Sequence, residues 1–316
     1  MAKFVVSIIN YKTPELTTAC VESVLVALAK VEGEIVIVDN ASEDGSVEII
    51  QDWLSEHPNV PVRLIASLTN TGFSGGHNMT FDAVPDAEFY LILNSDAVID
   101  PGFFEAVSNA VDKDSRVGLY APRIMTEDGK TQDSFFRFPS VASELIRGAN
   151  SGPVTRLLSR YVMSLGPEPD ETEVRWASFA CIVLAGDMVR EIGQMDDGYF
   201  LYFEDVEYCL RAWRQGWGLL RVPAAKGIHF RGGSGPVKAQ QATKGRLPGY
   251  YYRSRNRFFA QSVGSLGPIL ANLAWTLGRG IAYLRLLAGK SVNPSAEYEA
   301  KDIWIGAMRP LEGPSK

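Results

Sequence analysis

An aspartate at the end of an apolar run is the first sign of chemistry in this chain. Residues 89–93 have the length and composition of a buried strand, and Asn-Ser-Asp at residues 94–96 follows directly. Open α/β sheets bind ligands at the carboxyl ends of their strands, and a carboxylate there suits a hard cation, which in turn suits a phosphate group. Asp96 is therefore a candidate site residue, with capping of a turn or helix as the alternative.

A second aspartate stands in the same position after another apolar run. Asp39 and Asn40 follow the predicted strand at residues 34–38. A carboxylate at such a strand end is suited to hydrogen-bonding a ribose hydroxyl or the N–H of a pyrimidine. The alternative is an Asx turn that leads into residues 41–45.

Two adjacent acids, Glu204 and Asp205, follow the aromatic run at residues 199–203. They stand at the predicted start of a helix, where the positive end of the helix dipole keeps a carboxylate ionised and able to act as a base towards a hydroxyl. Plain helix capping by acids is the alternative. The density of aromatic residues beside the acids favours a substrate-lined site.

A glycine-rich segment at residues 70–78 is predicted to be a loop that opens a helix. Glycine lets backbone N–H groups approach a ligand closely, and a helix amino terminus favours anions. The segment matches neither the P-loop nor the dinucleotide-binding pattern, so an ordinary tight turn is the alternative. His77 within it is a candidate phosphate contact or only a residue at the helix start.

His229 and a cluster of arginines complete the candidate residues. A lone histidine is more often structural than a ligand, but His229 together with Asp96 could form a divalent metal site, because imidazole and carboxylate both suit Mn²⁺-like ions. The arginines within residues 250–257 could meet a diphosphate or an anionic acceptor, or could form the solvated face of a helix.

The elements that must position these residues alternate between strand and helix over about the first 120 residues. This alternation predicts a mainly parallel α/β sheet. Strands are predicted at residues 4–9, 34–38, 62–66, 89–93 and near 117–121, and helices at 14–29, 46–56, from the glycine-rich segment, and after Pro101. Residues 126–175 are predicted to be hairpin and loop, followed by a strand-like run at 176–185, a helix reaching residue 215 and a short strand at 219–222.

The composition is that of an ordinary globular protein. The chain has 316 residues, 46% of them hydrophobic, and a net charge of −6, which argues against a general nucleic-acid binder. Three scattered cysteines suggest buried, reduced thiols in a cytosolic protein, and the apolar amino terminus is predicted to be the first strand and not a signal peptide. No uninterrupted run of ~20 apolar residues predicts a membrane-spanning helix. Residues 266–287 are expected to pack on the catalytic domain, in a homodimer interface, or on a membrane surface.

Four motifs in order resemble those of family 2 glycosyltransferases. They are Val-Asp-Asn-Ala-Ser at residues 38–42, the segment 70–78, Asn-Ser-Asp at 94–96 and Phe-Glu-Asp at 203–205. The resemblance covers roughly residues 3–260 and is greatest to bacterial rhamnosyltransferase-type and galactofuranosyltransferase-type enzymes of cell-surface polysaccharide synthesis. It implies a GT-A fold over residues 1–262, with a nucleotide-binding half (1–121) and an acceptor half (122–262). A carboxyl-terminal helical segment (263–316) would follow.

The resemblance also implies roles for individual residues. Asp39 would contact the nucleoside, Asp96 would be the metal-binding acid of the family's Asp-x-Asp motif with His229 as a second ligand, and Asp205 would be the base with Glu204 helping to bind the acceptor. The predicted contacts to the nucleotide sugar are Asn10, Asp39, Asn40, Gly72, Gly75, His77, Asn78, Asn94, Ser95 and Asp96. The predicted diphosphate or acceptor contacts are Arg231, Tyr251, Arg253 and Arg257. Asn94 replaces the first acid of Asp-x-Asp, so weak metal binding is expected.

The expected function is therefore an inverting glycosyltransferase that uses Mg²⁺ or Mn²⁺ and a dTDP- or UDP-sugar, with a rhamnose-like sugar favoured. The acceptor would be a glycan or a polyprenyl-linked molecule, reached from the cytoplasm at the inner face of the membrane. One alternative is a sugar nucleotidyltransferase, but such enzymes usually carry a glycine-rich basic loop near the first strand, and residues 10–14 contain no glycine. Another alternative is a protein that binds nucleotide sugars without transferring the sugar.

Overall fold

The computed structural model describes residues 4–112, 115–230 and 243–313. Its main feature is an eight-stranded sheet, and a separate two-stranded ribbon lies beside it. The strands are β1 Phe4–Asn10, β2 Gly33–Asp39, β3 Val62–Ala66, β4 Phe89–Asn94, β5 Ala97–Ile99, β6 Val117–Met125, β7 Phe135–Phe136, β8 Trp176–Ala177, β9 Cys181–Ala185 and β10 Gly218–His229.

The order of strands in the large sheet is β3-β2-β1-β4-β9-β6-β10-β5. The first four strands are parallel to one another, as are β6 and β10. Strand β9 lies antiparallel between β4 and β6, and the short β5 closes the far edge antiparallel to β10. The prediction of a mainly parallel α/β sheet is confirmed, and its second half is mixed.

Helices cover both faces of this sheet. They are α1 Pro14–Leu28, α2 Ser46–Glu56, α3 Gly72–Ala83, α4 Phe103–Ala110, α5 Val141–Ala149, α6 Gly152–Leu157, α7 Gly186–Ile192, α8 Glu204–Arg214, α9 Gly249–Val263, α10 Gly267–Leu287 and α11 Glu299–Asp302. Single 3₁₀ turns lie at Ser159–Tyr161 and Glu171–Glu173.

The central strands are apolar without a break because both of their faces are buried. In β1, Val6 faces the core formed with α1, α2 and α4, whereas Val5 faces the core formed with α3, α7 and α8. Pro14 begins α1 at a position where its missing N–H costs nothing. The three cysteines are buried separately, as expected.

The region after β6 differs from the sequence-based prediction. Residues 126–175 contain α5 and α6 as well as loop, and the run at 176–185 forms two strands separated by a turn. The strand expected at 219–222 extends over Gly218–His229. Helix α10 was expected at 266–287 and packs along α5 and α9. Within the described ranges, we find no helix with the length and apolar character needed to cross a bilayer.

Candidate active site

The parallel strands bring several predicted site residues to one edge of the sheet. Asn10 on β1 is in register with Asp39 on β2, and the preceding residue Ile9 is in register with Asn94 on β4. The acids and amides that follow these apolar runs therefore lie side by side at the carboxyl ends of adjacent strands. This is the edge where open α/β sheets bind ligands.

Asp39 is held in place by two neighbouring side chains. Asn10 donates from Nδ2 to Asp39 Oδ1 over 2.6 Å, and the Ser42 hydroxyl donates to the same oxygen over 2.6 Å. The Ser42 backbone N–H donates to Asp39 Oδ2. The carboxylate is only 2% exposed. Its orientation is therefore fixed before any ligand arrives. Sequence reasoning missed Ser42, although its position three residues after an aspartate is the signal of an Asx turn.

Asn40 positions the start of α3 instead of facing outward. Its Oδ1 accepts from the Thr71 backbone N–H over 2.9 Å, and its Nδ2 donates to the Gly72 carbonyl over 2.9 Å. The glycine-rich segment was predicted to be a loop that opens a helix, but the helix already begins at Gly72. Gly72 has a φ of +73°, and a Cβ there would collide with the Phe200 carbonyl. A Cβ on Gly76 would lie 2.6 Å from Ile9 Cδ1. These two glycines serve close packing.

His77 points into the protein interior. It is 1% exposed, and its Nδ1 lies 2.7 Å from the Ser7 hydroxyl, which in turn donates to Thr80. Burial lowers the pKa of His77 to about 3, so the imidazole is neutral. Its predicted role as a phosphate contact finds no support in this placement. Asn78 likewise exchanges hydrogen bonds with the backbone of Met195.

Asp96 and His229 come together across the far part of the sheet. Strand β5 pairs with β10 in a register that sets Ala97 opposite His229, and this brings His229 Nε2 to 3.1 Å from Asp96 Oδ1. Asn94 Nδ2 lies 3.5 Å from the same nitrogen. Both Asp96 and His229 are almost fully buried. The hydroxyl of Ser95, which lies between Asn94 and Asp96 in the sequence, contacts the Thr13 hydroxyl. This contact links the segments that follow β1 and β4.

Glu204 and Asp205 begin α8 after a distorted turn. Tyr202 and Phe203 have φ values of +71° and +69°, a conformation that non-glycine residues rarely adopt and that tends to persist at functional sites. Asp205 is partly exposed, whereas Glu204 is buried and its Oε2 has no hydrogen-bond partner among the described residues. Burial, and next the charge of Asp205, raise the pKa of Glu204 well above its usual range.

Aromatic rings pack beside this acidic pair. Tyr251 on α9 contacts the rings of Tyr202 and Phe203, with centroids 5.9 Å and 5.7 Å away. The Phe200 carbonyl accepts a hydrogen bond from the Phe73 N–H over 2.8 Å. The loop that leads into α8 therefore contacts the start of α3 directly, beside the sheet edge that carries Asp39 and Asn40.

The predicted arginine contacts are dispersed. Arg257 forms a two-point ion pair with Asp196, at 2.9 Å and 2.8 Å, and Arg253 is exposed beside Gly306. Arg255, in the same basic run, is 1% exposed and pairs with Glu144 in the interior. Arg231 lies outside the described residues. The structure brings none of Arg253, Arg255 and Arg257 into a hydrogen bond with the Asp96–His229 pair.

The sequence motifs at these positions agree with a family match. Residues 5–157 match the family described as Glycosyl transferase family 2, and this range contains the Asp39 and Asp96 strand ends. This part of the chain, residues 5–157, is similar in sequence to glycosyl transferase family 2.

Two relatives are similar to this chain along much of its length. One is the N-acetylglucosaminyl-diphospho-decaprenol L-rhamnosyltransferase of Mycobacterium tuberculosis, 28% identical over 212 residues, which are 62% of this chain and 66% of the relative. The other is the low-salt glycan biosynthesis hexosyltransferase Agl10 of Haloferax volcanii, 24% identical over 260 residues, which are 81% of this chain and 74% of that protein. The chain thus spans just under two thirds of the mycobacterial protein.

Solved structures show that the fold is the GT-A fold. The mannosyltransferase PcManGT from Pyrobaculum calidifontis, in complex with GDP-Man and Mn²⁺, superimposes with a TM-score of 0.58 at 15% identity and covers 98% of this chain and 81% of its own. TarS from S. aureus, in complex with UDP, gives a TM-score of 0.53 at 13% identity over 92% of this chain and 93% of its own.

The residues at the sheet edge fit a divalent metal in part. Within the described residues, no three His, Cys, Asp or Glu side chains gather into a metal-binding group. Asp96 and His229 nevertheless present a carboxylate and an imidazole to one another, and His229 Nδ1 has no hydrogen-bond partner within the described ranges. Mg²⁺ in phosphate-binding sites commonly takes one or two protein ligands and fills its other positions with phosphate oxygens and water. Two protein ligands are therefore enough for such a site.

Proposed function

We propose that this chain is an inverting, nucleotide-sugar-dependent glycosyltransferase that transfers a rhamnose-like sugar to a hydroxyl of a lipid-linked glycan in the cytoplasm. The observation that carries the proposal is the Asp96–His229 pair at the sheet edge, where Nε2 and Oδ1 are 3.1 Å apart. Asp39 on the same edge, with Asn10 and Ser42 bound to it, would bind the nucleoside. The Asp205 carboxylate at the start of α8 would act as the base. The mycobacterial relative supports the choice of rhamnose and of a lipid-diphosphate acceptor by its name alone.

In the proposed donor site, each group has a distinct task. Asp39, oriented by Asn10 and Ser42, accepts hydrogen bonds from the nucleoside. When bound, a Mg²⁺ or Mn²⁺ ion held by Asp96 and His229 supplies positive charge against the diphosphate. Asn94 adds an amide beside these two ligands where a carboxylate would add charge, so we expect weaker metal binding than two carboxylates would give.

In the proposed reaction, Asp205 removes the proton from the acceptor hydroxyl as its oxygen bonds to the anomeric carbon. The bond from that carbon to the diphosphate breaks at the same time, and the leaving diphosphate keeps the electron pair. Attack opposite the leaving group inverts the anomeric centre. Burial and the neighbouring charge of Asp205 raise the pKa of Glu204 well above its usual range, which favours its protonated form as a hydrogen-bond donor while Asp205 accepts the proton.

The direct test is an assay of nucleoside-diphosphate release from dTDP-, UDP- and GDP-sugars with a polyprenyl-diphosphate glycan as acceptor. Acceptor-dependent release from one donor supports the proposal. Pyrophosphate release from a nucleoside triphosphate and a sugar phosphate would instead identify a nucleotidyltransferase. Donor binding with no turnover under any acceptor would identify a binding protein.

Asp205→Asn tests the proposed base. We expect turnover to fall by ~10²–10⁴-fold, the usual contribution of a general base, with donor affinity by calorimetry almost unchanged. Asp197→Asn is the matched control, because Asp197 is an exposed carboxylate in the same loop. Near wild-type transfer by Asp205→Asn would remove this residue from the mechanism.

Asp96→Asn tests the proposed metal site. We expect this change to abolish the gain in donor affinity that Mn²⁺ produces in the wild-type protein, because an amide in place of the carboxylate weakens metal binding. Calorimetric titrations with and without Mn²⁺ measure that gain directly. Asp100→Asn, which changes an exposed aspartate four residues further on, should retain it. An unchanged Mn²⁺ effect in Asp96→Asn would contradict the assignment.

A further inference from the structure

The outer face of α10 carries a stripe of exposed leucines. Leu266, at its amino-terminal cap, and five leucines of the helix are between 44% and 67% exposed. Their spacing alternates between three and four residues, interrupted only at Gly280, which places them on one face of a helix. The five leucines of the stripe that lie within the helix are Leu270, Leu273, Leu277, Leu284 and Leu287.

This exposure is not a sign that the helix is poorly packed. The opposite face of α10 is buried against α5 and contains Trp275, which is 2% exposed. A Cβ on Gly278 would lie 2.5 Å from the Ala149 nitrogen, so the two helices approach as closely as their backbones allow. The carboxyl end of α10 is also fixed, because Arg285 donates to the Asn150 carbonyl over 2.6 Å. The leucine stripe is therefore held rigidly at the surface.

The apolar surface extends sideways from the stripe. A groove of about 430 Å³ separates α10 from α5 and is lined by Val141, Leu145, Tyr161 and Leu277, among others. Tyr283 and Leu286 on α10 are more than half exposed as well. A helix partner in a coiled coil needs only a narrow apolar seam. This surface is wider than such a seam.

The segments that carry this surface are rich in positive charge, although the chain as a whole has a net charge of −6. Residues 134–166 and 262–296, which contain α5, α6 and α10, carry seven Lys or Arg and one acid, Glu144, which is buried. Five of the cations have no carboxylate oxygen within 4.0 Å among the residues that the structure describes: Arg156, Arg160, Arg279, Arg285 and Lys290. Arg160 lies against Tyr161 at the groove.

We propose that this surface, formed by the outer face of α10 and the groove beside α5, docks the protein onto an anionic phospholipid bilayer. Leucines enter the acyl boundary of a bilayer, and arginine and lysine at the same level contact lipid phosphates. The rigid helix lies flat in the interface and does not cross the bilayer. The proposal is independent of sugar transfer, since binding to vesicles requires no turnover.

A second copy of this chain is a poorer occupant for the same surface. In a two-fold dimer, the patch of one copy faces the same patch of the other, so the cations of the two copies, among them Arg279, Arg285 and Lys290, would be brought near one another. The described residues place no exposed carboxylate within these segments to compensate such like charges. A bilayer that contains phosphatidylglycerol supplies the missing negative charge.

The test is co-sedimentation of the full chain with vesicles of phosphatidylcholine alone or mixed with phosphatidylglycerol. We expect binding to the mixed vesicles, weakened by high salt, and little binding to the neutral ones. The double variant Leu273→Ser/Leu277→Ser should lower the partition coefficient by about tenfold or more, because both leucines would leave the acyl boundary. Arg285→Gln/Lys290→Gln should lower binding to the anionic vesicles only.

Leu68→Ser is the matched control, since Leu68 is 97% exposed on another part of the protein and should not affect vesicle binding. Sedimentation equilibrium without lipid distinguishes the other occupant. A wild-type dimer that Leu273→Ser/Leu277→Ser converts to monomer, with equal vesicle binding by both proteins, would overturn the proposal and identify a homodimer interface. Equal binding of the wild-type protein to neutral and anionic vesicles would overturn the role of the cations.

Discussion

At the scale of single residues, the adjacent acids Glu204 and Asp205 differ because one is buried and the other is partly exposed. Two neighbouring carboxylates resist joint ionisation, and the buried one is the more costly to ionise. The fold thereby assigns the proton to Glu204 and leaves Asp205 as the proposed base. The same reasoning explains why the two residues cannot exchange roles.

Glu204→Gln should change the pH dependence of stability. A raised folded-state pKa means that the folded protein holds a proton that the unfolded chain releases above about pH 4.5, so wild-type stability falls as pH rises from there towards the folded pKa. The variant lacks this loss. We therefore expect its urea-unfolding midpoint to exceed that of the wild type increasingly above pH 4.5. A difference in unfolding midpoint between Glu204→Gln and wild type that is the same at every pH would contradict the raised pKa. Glu56→Gln, which changes an exposed carboxylate, serves as control.

The positions of Asp39 and Asp96 at the carboxyl ends of strands could be predicted from the sequence, because each acid follows an apolar run. The local sequence does not reveal which distant residue a side chain will hydrogen-bond in the folded protein. Ser7, which contacts His77, is 70 residues away in the chain, and the side chain of Asn40 faces Thr71 and Gly72. The sequence does not show these partners, so it predicts His77 and Asn40 as ligand contacts. In the structure, their hydrogen bonds are made inside the protein.

At the scale of elements, the close approach of α10 and α5 depends on glycine. Gly278→Ala places a Cβ within 2.5 Å of the Ala149 nitrogen and the Leu145 carbonyl. We expect this change to destabilise the protein by ~1–3 kcal/mol, as overpacking commonly does. Gly280→Ala, two residues further along the same helix, meets no atom within 4 Å and should stabilise it by ~0.5–1 kcal/mol.

Urea-unfolding free energies of the two glycine variants and the wild type measure these effects. The pair shares helix, residue type and chemical change, so helix propensity contributes equally to both. If Gly278→Ala were as stable as Gly280→Ala, the two helices would not pack as closely as described.

Helices and strands could be predicted best where the hydrophobic pattern and the Gly, Pro and polar residues that end it mark the same boundaries, as in β1 to β4 with α1 and α2. The short strand β5 was missed because its three residues form only through pairing with β10. Helix α5 was missed because residues 126–175 are rich in turn signals, while its own capping box at Ser140 and Ser143 uses a serine where glutamate or glutamine is usual.

At the scale of the whole molecule, a buried ionic network joins the carboxyl-terminal helices to the rest of the protein. Glu144 on α5 pairs with Arg147 and, over 2.7 Å, with Arg255 on α9. Arg147 also pairs with Glu299 on α11, and Arg255 donates to Asn272 on α10. Burial alone would raise the pKa of Glu144, but the charges of Arg147 and Arg255 lower it to about 2. The network therefore stays ionised over the physiological pH range.

Glu144→Gln should destabilise the folded protein by ~3–5 kcal/mol at neutral pH, because it leaves buried arginines without their carboxylate. The stability that ionised Glu144 contributes is present above its unfolded pKa of 4.5 and is lost as pH falls towards about 2, so the difference from wild type should shrink over that range. Thermal or urea unfolding from pH 7 to pH 2 measures the difference. Glu312→Gln removes an exposed ion pair with Arg309 and should cost less than ~1 kcal/mol.

The architecture could be predicted for the first half of the sheet, since alternating strands and helices specify parallel neighbours. The second half could not be predicted in this way. Strand β9 is inserted antiparallel between β4 and β6, which reverses the direction of pairing in the middle of the sheet. No local pattern in residues 181–185 distinguishes an antiparallel neighbour from a parallel one.

The position of β9 also has a consequence for how the chain is made in the cell. As the ribosome releases the chain from its amino terminus, β4 is complete at Asn94, but the strand that covers its free edge arrives only with residues 181–185. Throughout that interval the nascent chain presents an open, apolar strand of the sequence Phe-Tyr-Leu-Ile-Leu-Asn, a template for pairing with other chains. Slow translation or premature termination between these two strands therefore exposes the cell to an aggregation-prone product, and chaperone contact is most useful at that stage.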